Sequence, residues 1–192
     1  MDQFAAAPLT APNIDAGPYR LREFSLADAP LISRAGADPL IPLITTVPVD
    51  GTAEDHAAFI LRQQQRLRDG TGYSLAIADA ATNHAVGQIG LWLQNQDNGI
   101  ASIGYWVDPE QRRRGIAAHA LVALSTWGLS LPQIHRLELY VEPWNEGSWR
   151  TAEACGFQRE GLLRSFRTIG GQRRDLYMYS LLPSGLPLVS AV

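Results

Sequence analysis

The spacing of apolar and polar residues changes period several times along this chain, and each change marks an element. Residues 19–24 alternate, with Tyr19 and Leu21 set against Arg20 and Arg22, the two-residue period of a strand with one buried face. Ser25 follows as an N-cap with Asp28 in capping-box position, predicting a helix to about Ala35. Three prolines interrupt residues 38–49, which read as an irregular loop. Thr52 then caps an amphipathic helix over residues 53–69, with Ala57, Ile60, Leu61 and Leu67 near helical spacing and Gly70 as its stop. Strand runs at 73–80, 85–93 and 100–107 are separated by short turns, the pattern of an antiparallel meander. A helix from Arg114 to about Leu131 ends before Pro132, and residues 136–141 alternate as a strand. A short helix at 147–155 closes at Gly156, and strands near 157–169 and 173–182 flank Gly170-Gly171. Meander followed by strand–helix–strand units predicts an α+β fold: a mixed, mostly antiparallel sheet of six to seven strands with helices on both faces.

Residues 1–18 are rich in Ala and Pro and lack the basic start and compact apolar core of a signal peptide, so they read as a mobile tail. Residues 183–192 read as a second tail, leaving 19–182 as one domain. No apolar run approaches the ~20 residues that span a bilayer, so no membrane partner and a cytoplasmic location are expected. A net charge of −3 argues against a general nucleic-acid binder. The 16 basic residues are all arginine, so no lysine can form a Schiff base. One cysteine excludes an internal disulfide, and the four histidines have no ligand-like spacing, so no metal is expected. Cys155 reads as a small packing group.

Two stretches carry candidate chemistry. In the first, Ile103-Gly-Tyr-Trp-Val-Asp-Pro runs into Glu-Gln-Arg112-Arg113-Arg114-Gly115-Ile116-Ala117 and an apolar helix. A helix N-terminus offers unpaired N–H groups and partial positive charge, which suits a phosphate, and three arginines add to that field. Gly115 permits close backbone approach. A solvated arginine cluster at an ordinary helix start fits the same residues. In the second stretch, Asn145 and Ser148 stand three apart where a strand turns into a helix, and simple capping accounts for them equally well.

Together the two stretches resemble the GNAT family of acyl-CoA-dependent N-acetyltransferases, and within it the RimJ/RimL-like branch. The first is similar to the family's Q/R-x-x-G-x-G/A step at Arg112, Gly115 and Ala117. The second is similar to N-x-x-S-x-R-x-x-E-x-x-G-F at Asn145, Ser148, Arg150, Glu153, Gly156 and Phe157. The resemblance spans residues 19–182, including Tyr19-Arg-Leu-Arg-Glu-Phe at the start and Asp175-Leu-Tyr-Met-Tyr-Ser at the end.

It implies a GNAT-like sheet whose parallel central strands, ending at Val107 and near Val141, splay to admit pantetheine. It also implies acetyl-CoA as co-substrate, with Trp106, Val107, Arg112, Arg113, Arg114, Gly115, Ile116, Ala117, Asn145 and Ser148 in contact with it. The pyrophosphate would rest on the N–H groups of residues 112–117, and Asn145 would bond the pantetheine arm. Ser148 or water would protonate the departing thiolate, because the tyrosine many relatives carry seven residues after the asparagine is Ala152 here. The strand carboxylate common in the family is replaced by Ala101 and Ser102. Glu142 and Asp97, and more weakly His84, are left as candidate bases. Only one of Tyr105 and Trp106 can face the notch.

The acceptor is expected to be a primary amine, either a protein N-terminus or a small molecule. A silent acyl-CoA-binding module, or a transferase using another donor such as succinyl-CoA, is the alternative. Monomer and homodimer stay equally open. Arg164, Arg167, Arg173 and Arg174 flank the last hairpin, as a solvated face or as a steering field for a carboxylate-bearing substrate.

Overall fold

A computed structural model describes residues 7–186. Eight strands form a single sheet: β1 (Ile14–Ala16), β2 (Tyr19–Glu23), β3 (Gly72–Asp79), β4 (Ala85–Asn95), β5 (Ile100–Val107), β6 (Arg136–Val141), β7 (Gln158–Ile169) and β8 (Gln172–Leu181). Their order is β1-β2-β3-β4-β5-β6-β8-β7, antiparallel except for the β5–β6 pair. Five helices complete it: α1 (Ala29–Gly36), α2 (Ile41–Ile44), α3 (Ala53–Arg68), α4 (Ile116–Leu129) and α5 (Glu146–Ala154).

The sheet is coated on both faces. Leu75, Ile77, Leu91 and Leu137 pack with Leu121 and Leu124 of α4 in the larger core. Ala76 and Trp106 pack with Ile32 of α1 and Phe59 and Ile60 of α3 in a second core. Double coverage is why β3 is buried along nearly its whole length, where a half-exposed strand would alternate. Helix α3 starts as expected, with Thr52 Oγ1 accepting from Asp55 N at 3.2 Å and Asp55 Oδ2 accepting from Thr52 N at 2.9 Å.

Two expectations need correction. The sheet has eight strands, not six or seven, because residues 14–16 of the expected tail form β1. The tight turn at Gly17 (φ 68°) folds them onto β2, and Leu9 N donates to the Leu67 carbonyl at 2.8 Å. The loop 38–49 is not wholly irregular, since Asp38 Oδ1 accepts from Leu40 N and Ile41 N, each at 2.9 Å, and starts the single turn α2. Of the expected C-terminal tail, residues 183–185 form a 3-10 turn, and 187–192 lie outside the described residues. No helix among the described residues is long and apolar enough to cross a membrane.

Candidate active site

The parallel strands β5 and β6 pair over only three positions, Ile100↔Arg136, Ala101↔Leu137 and Ser102↔Glu138. Beyond them the strands part, and a hollow of about 210 Å³ opens between Ile103–Tyr105 and Leu139–Val141. Asp108 N donates to the Val86 carbonyl at 2.9 Å, so residue 108 faces β4. By alternation the backbone groups of Trp106 also face β4, while those of Tyr105 and Val107 face the gap. A polar arm entering there would meet backbone groups the sheet leaves unpaired.

At the end of β5 the chain is shaped for an anion. Asp108, 1% exposed, holds Arg34 of α1 at 2.7 Å and caps a 3-10 turn over Pro109–Gln111. After it φ alternates in sign, −59° at Arg112, 66° at Arg113 and 74° at Gly115, with Arg114 on the negative side. Alternating handedness aims successive N–H groups into one concavity, and α4 begins directly behind it with its first N–H groups unpaired. A left-handed arginine costs of order 1–3 kcal/mol, which the surrounding loop must offset. This nest borders a cleft of about 390 Å³ lined by Val107, Arg112, Arg113, Gly115 and Ala117 from one side and Asn145 and Ser148 from the other.

Helix α5 supplies that other side. Asn145 Oδ1 accepts from Ser148 N at 3.3 Å, so the capping role is real, and it uses the carbonyl end of the side chain. Ser148 Oγ donates to Tyr105 Oη at 3.2 Å, and Tyr105 Oη donates to the Ser148 carbonyl at 3.0 Å. Burial is the main cause that pushes the Tyr105 hydroxyl up to about 12, so it keeps its proton at neutral pH. The rest of the second motif is structural: Glu153 accepts from Tyr179 Oη at 2.9 Å, Gly156 turns left-handed (φ 90°), and Phe157 is buried. Ala152 is fully buried, and Cys155 is packed in the core, where burial pushes its thiol up to about 11.

Not every expected residue reaches the cleft by its side chain. Trp106 points into the second core, where its Nε1 donates to Gln88 Oε1 at 2.6 Å, and its backbone groups face β4, so neither is turned toward the gap. Ile116 is likewise a core side chain at 3% exposure. Arg112 is tied to Asp38 at 2.8 Å, and Arg114 is exposed and does not border the cleft. Glu142, 7% exposed, lines the hollow between the strands, with Arg174 Nε 3.7 Å away. Asp97 and His84 border neither the cleft nor the hollow. Tyr105 is the residue left undecided by the alternation, and it borders both cleft and hollow.

The chain has counterparts among known proteins. The profile of the acetyltransferase (GNAT) domain matches residues 19–158. The chain belongs to the GNAT acetyltransferase family. It is 28% identical over 162 residues to the uncharacterized N-acetyltransferase p20 of Bacillus licheniformis, covering 84% of this chain and 91% of that one. Among solved structures, the microcin C7 self-immunity acetyltransferase MccE, in complex with acetyl-CoA and AMP, superposes with a TM-score of 0.77 at 22% identity, over 91% of this chain and 98% of that one. Mycobacterium smegmatis RimJ, in complex with CoA-disulfide, superposes at 0.74 and 24% identity, over 93% and 88%. The protein is therefore an acyltransferase of the GNAT fold, with its mixed sheet and single parallel pair.

Proposed function

We propose that this GNAT protein transfers an acetyl group from acetyl-CoA to a primary amine by direct attack within a ternary complex. The observation that carries the reading is the meeting of two spaces at one point. The nest-bearing cleft and the inter-strand hollow share Tyr105, Asn145 and Ser148. A thioester laid along the cleft and an amine seated in the hollow would meet beside those three residues, which supplies proximity and orientation.

The nest and the start of α4 would hold the pyrophosphate, with Arg113 adding charge and Arg112 exchanging Asp38 for phosphate. Tyr105 and Val107 would pair by their backbones with the pantetheine amides. Glu142 would take the proton of the substrate ammonium, directly or through water. The amine nitrogen would then bond to the carbonyl carbon as the C–S bond breaks, the Ser148–Tyr105 hydroxyl pair would pass a proton to the leaving thiolate, and the second proton lost by the nitrogen would return through water to that pair. The test is thiol release from acetyl-CoA against a panel of amines that includes peptide N-termini. Release with one amine class supports the reading; no release with any amine, while acetyl-CoA still raises the melting temperature, counts against it.

A further inference from the structure

Beyond the hollow lies a third space of about 330 Å³, continuous with it through Ile44, Trp92, Arg167 and Ile169. Two arginines line this space and no Asp or Glu does. Nearby arginines have carboxylates: Arg34 holds Asp108, Arg112 holds Asp38, and Arg174 faces Glu142. Arg66 and Arg167 have none among the described residues. Arg66 is half-buried, lies 4.8 Å over the Trp92 ring, and donates from Nε to Gln63 Oε1 at 3.3 Å. Gln63 is itself fixed, 1% exposed, donating to the Phe59 carbonyl and accepting from Ser74 Oγ. Arg167 is exposed and sits on β7 directly opposite Arg174, whose charge is met by Glu142, so Arg167 is the member of that like-charge pair with no carboxylate of its own among the described residues.

The geometry points to an acceptor that carries a carboxylate as well as its amine, with Arg66 and Arg167 holding the carboxylate while the amine lies toward Glu142 and Ser148. This rests on the acceptor assignment of the hollow made above. A half-buried guanidinium without a counter-charge is costly, and its planar fork suits a carboxylate. A polyamine or aminoglycoside would bring further positive charge against both arginines. The carboxylate could belong to a free amino acid or to an acidic residue near a peptide N-terminus; the chemistry at the arginines is the same.

The test compares kcat/KM for acceptors differing in one charge: amino acids against their amides, and peptides with Glu, Gln or Lys at the second position. The wild type and the Arg66→Gln, Arg167→Gln and double variants are all run. The expected result is a preference of roughly tenfold or more for the carboxylate-bearing member, the ratio that hydrogen bonds to a charged group give. That preference should collapse in the double variant, with the KM for acetyl-CoA unmoved. The amino-acid and peptide arms tell the two sources apart. Equal rates for the matched acceptors, or a preference for the lysine peptide, would overturn the inference. So would a preference for succinyl-CoA over acetyl-CoA with neutral amines, because the carboxylate would then belong to the donor. Calorimetric titration of the same acceptors into CoA-loaded protein separates this inference from the acetyl-transfer reading. Arginine-dependent binding without thiol release sustains the carboxylate site and sinks the transfer, while absence of binding sinks the site.

Discussion

Replacing Tyr105 by Phe removes one hydroxyl that takes part in two hydrogen bonds, to the Ser148 carbonyl at 3.0 Å and from Ser148 Oγ at 3.2 Å. If that hydroxyl is only structural, each neutral bond contributes a net ~0.5–1.5 kcal/mol, and the loss of both is about 1–3 kcal/mol of stability. A chain of this size then melts roughly 2–4 °C lower per kcal/mol. At 25 °C such a loss leaves a domain of ordinary stability, about 5–15 kcal/mol, folded and turning over at nearly its former rate. If the hydroxyl also supplies the proton for the thiolate, kcat falls by ~10²–10⁴, the usual worth of a positioned general acid. That is about 2.7–5.4 kcal/mol of barrier, too large to come from the change in folded population. The assay is thiol release at saturating substrates, with acetyl-CoA affinity and melting temperature measured on the same preparation. Because the Tyr105 hydroxyl titrates near 12, the wild-type rate should show no alkaline decline assignable to it below about pH 10. Ser148→Ala and the double variant complete a cycle, and two groups acting as a unit leave the double variant little worse than the poorer single. A kcat within about threefold of wild type, with melting lowered by what two lost hydrogen bonds cost, would refute the relay and leave Tyr105 a packing residue.

Other outcomes are equally specific. Gly115→Glu should abolish acetyl-CoA binding by setting a carboxylate in the nest; Gly115→Ala should cost about 1–2 kcal/mol for its left-handed backbone, because a Cβ there meets His119 no closer than 3.7 Å. Gly90→Ala places a Cβ 2.4 Å from the Trp92 ring, so Trp92 must move, and kcat/KM for the acceptor should fall while acetyl-CoA affinity holds. Thr52→Ala should lower stability by about 1 kcal/mol through the lost cap of α3 without altering turnover. Glu160, held at about 2 chiefly by Arg136 and then by Ser180, contributes stability that is complete above its ordinary value of 4.5 and is lost as pH falls through about 2. The melting gap between wild type and Glu160→Gln should therefore be full at pH 6 and close toward pH 2, and a gap independent of pH would contradict the pairing.

How far the sequence reached depends on how local each determinant is. The bounds of β5 and β6 follow from the alternating run at 100–107, its break at Asp108-Pro109, and the alternation at 136–141, and the structure places both as expected. Strand β1 was invisible because Ile14-Asp15-Ala16 is too short to carry a period and is held by a turn and a partner. Helix α2 was hidden by prolines and depends on Asp38, whose second oxygen is claimed by Arg112 from across the cleft. The choice between Tyr105 and Trp106 was likewise decided at a distance, by Gln88 waiting in the second core for an indole N–H. Residue types at the nest and at Asn145–Ser148 were legible. The partnerships that reserve Arg112 and leave Arg66 and Arg167 unclaimed were not, because ion pairs between distant segments have no sequence period.

An ordinary eight-stranded sheet has two edges, both at its rim. The parting of β5 and β6 after three pairs creates two more in the middle, where the peptide N–H groups of Tyr105 and Val107 have no partner on β6. Interior edges invite whatever extended, amide-bearing chain can reach them, and a stray peptide would serve as well as a pantetheine arm. Acetyl-CoA bound as proposed would act as a plug. In its presence the amide hydrogens of Tyr105 and Val107 should exchange more slowly, and the protein should become harder to aggregate through strand insertion.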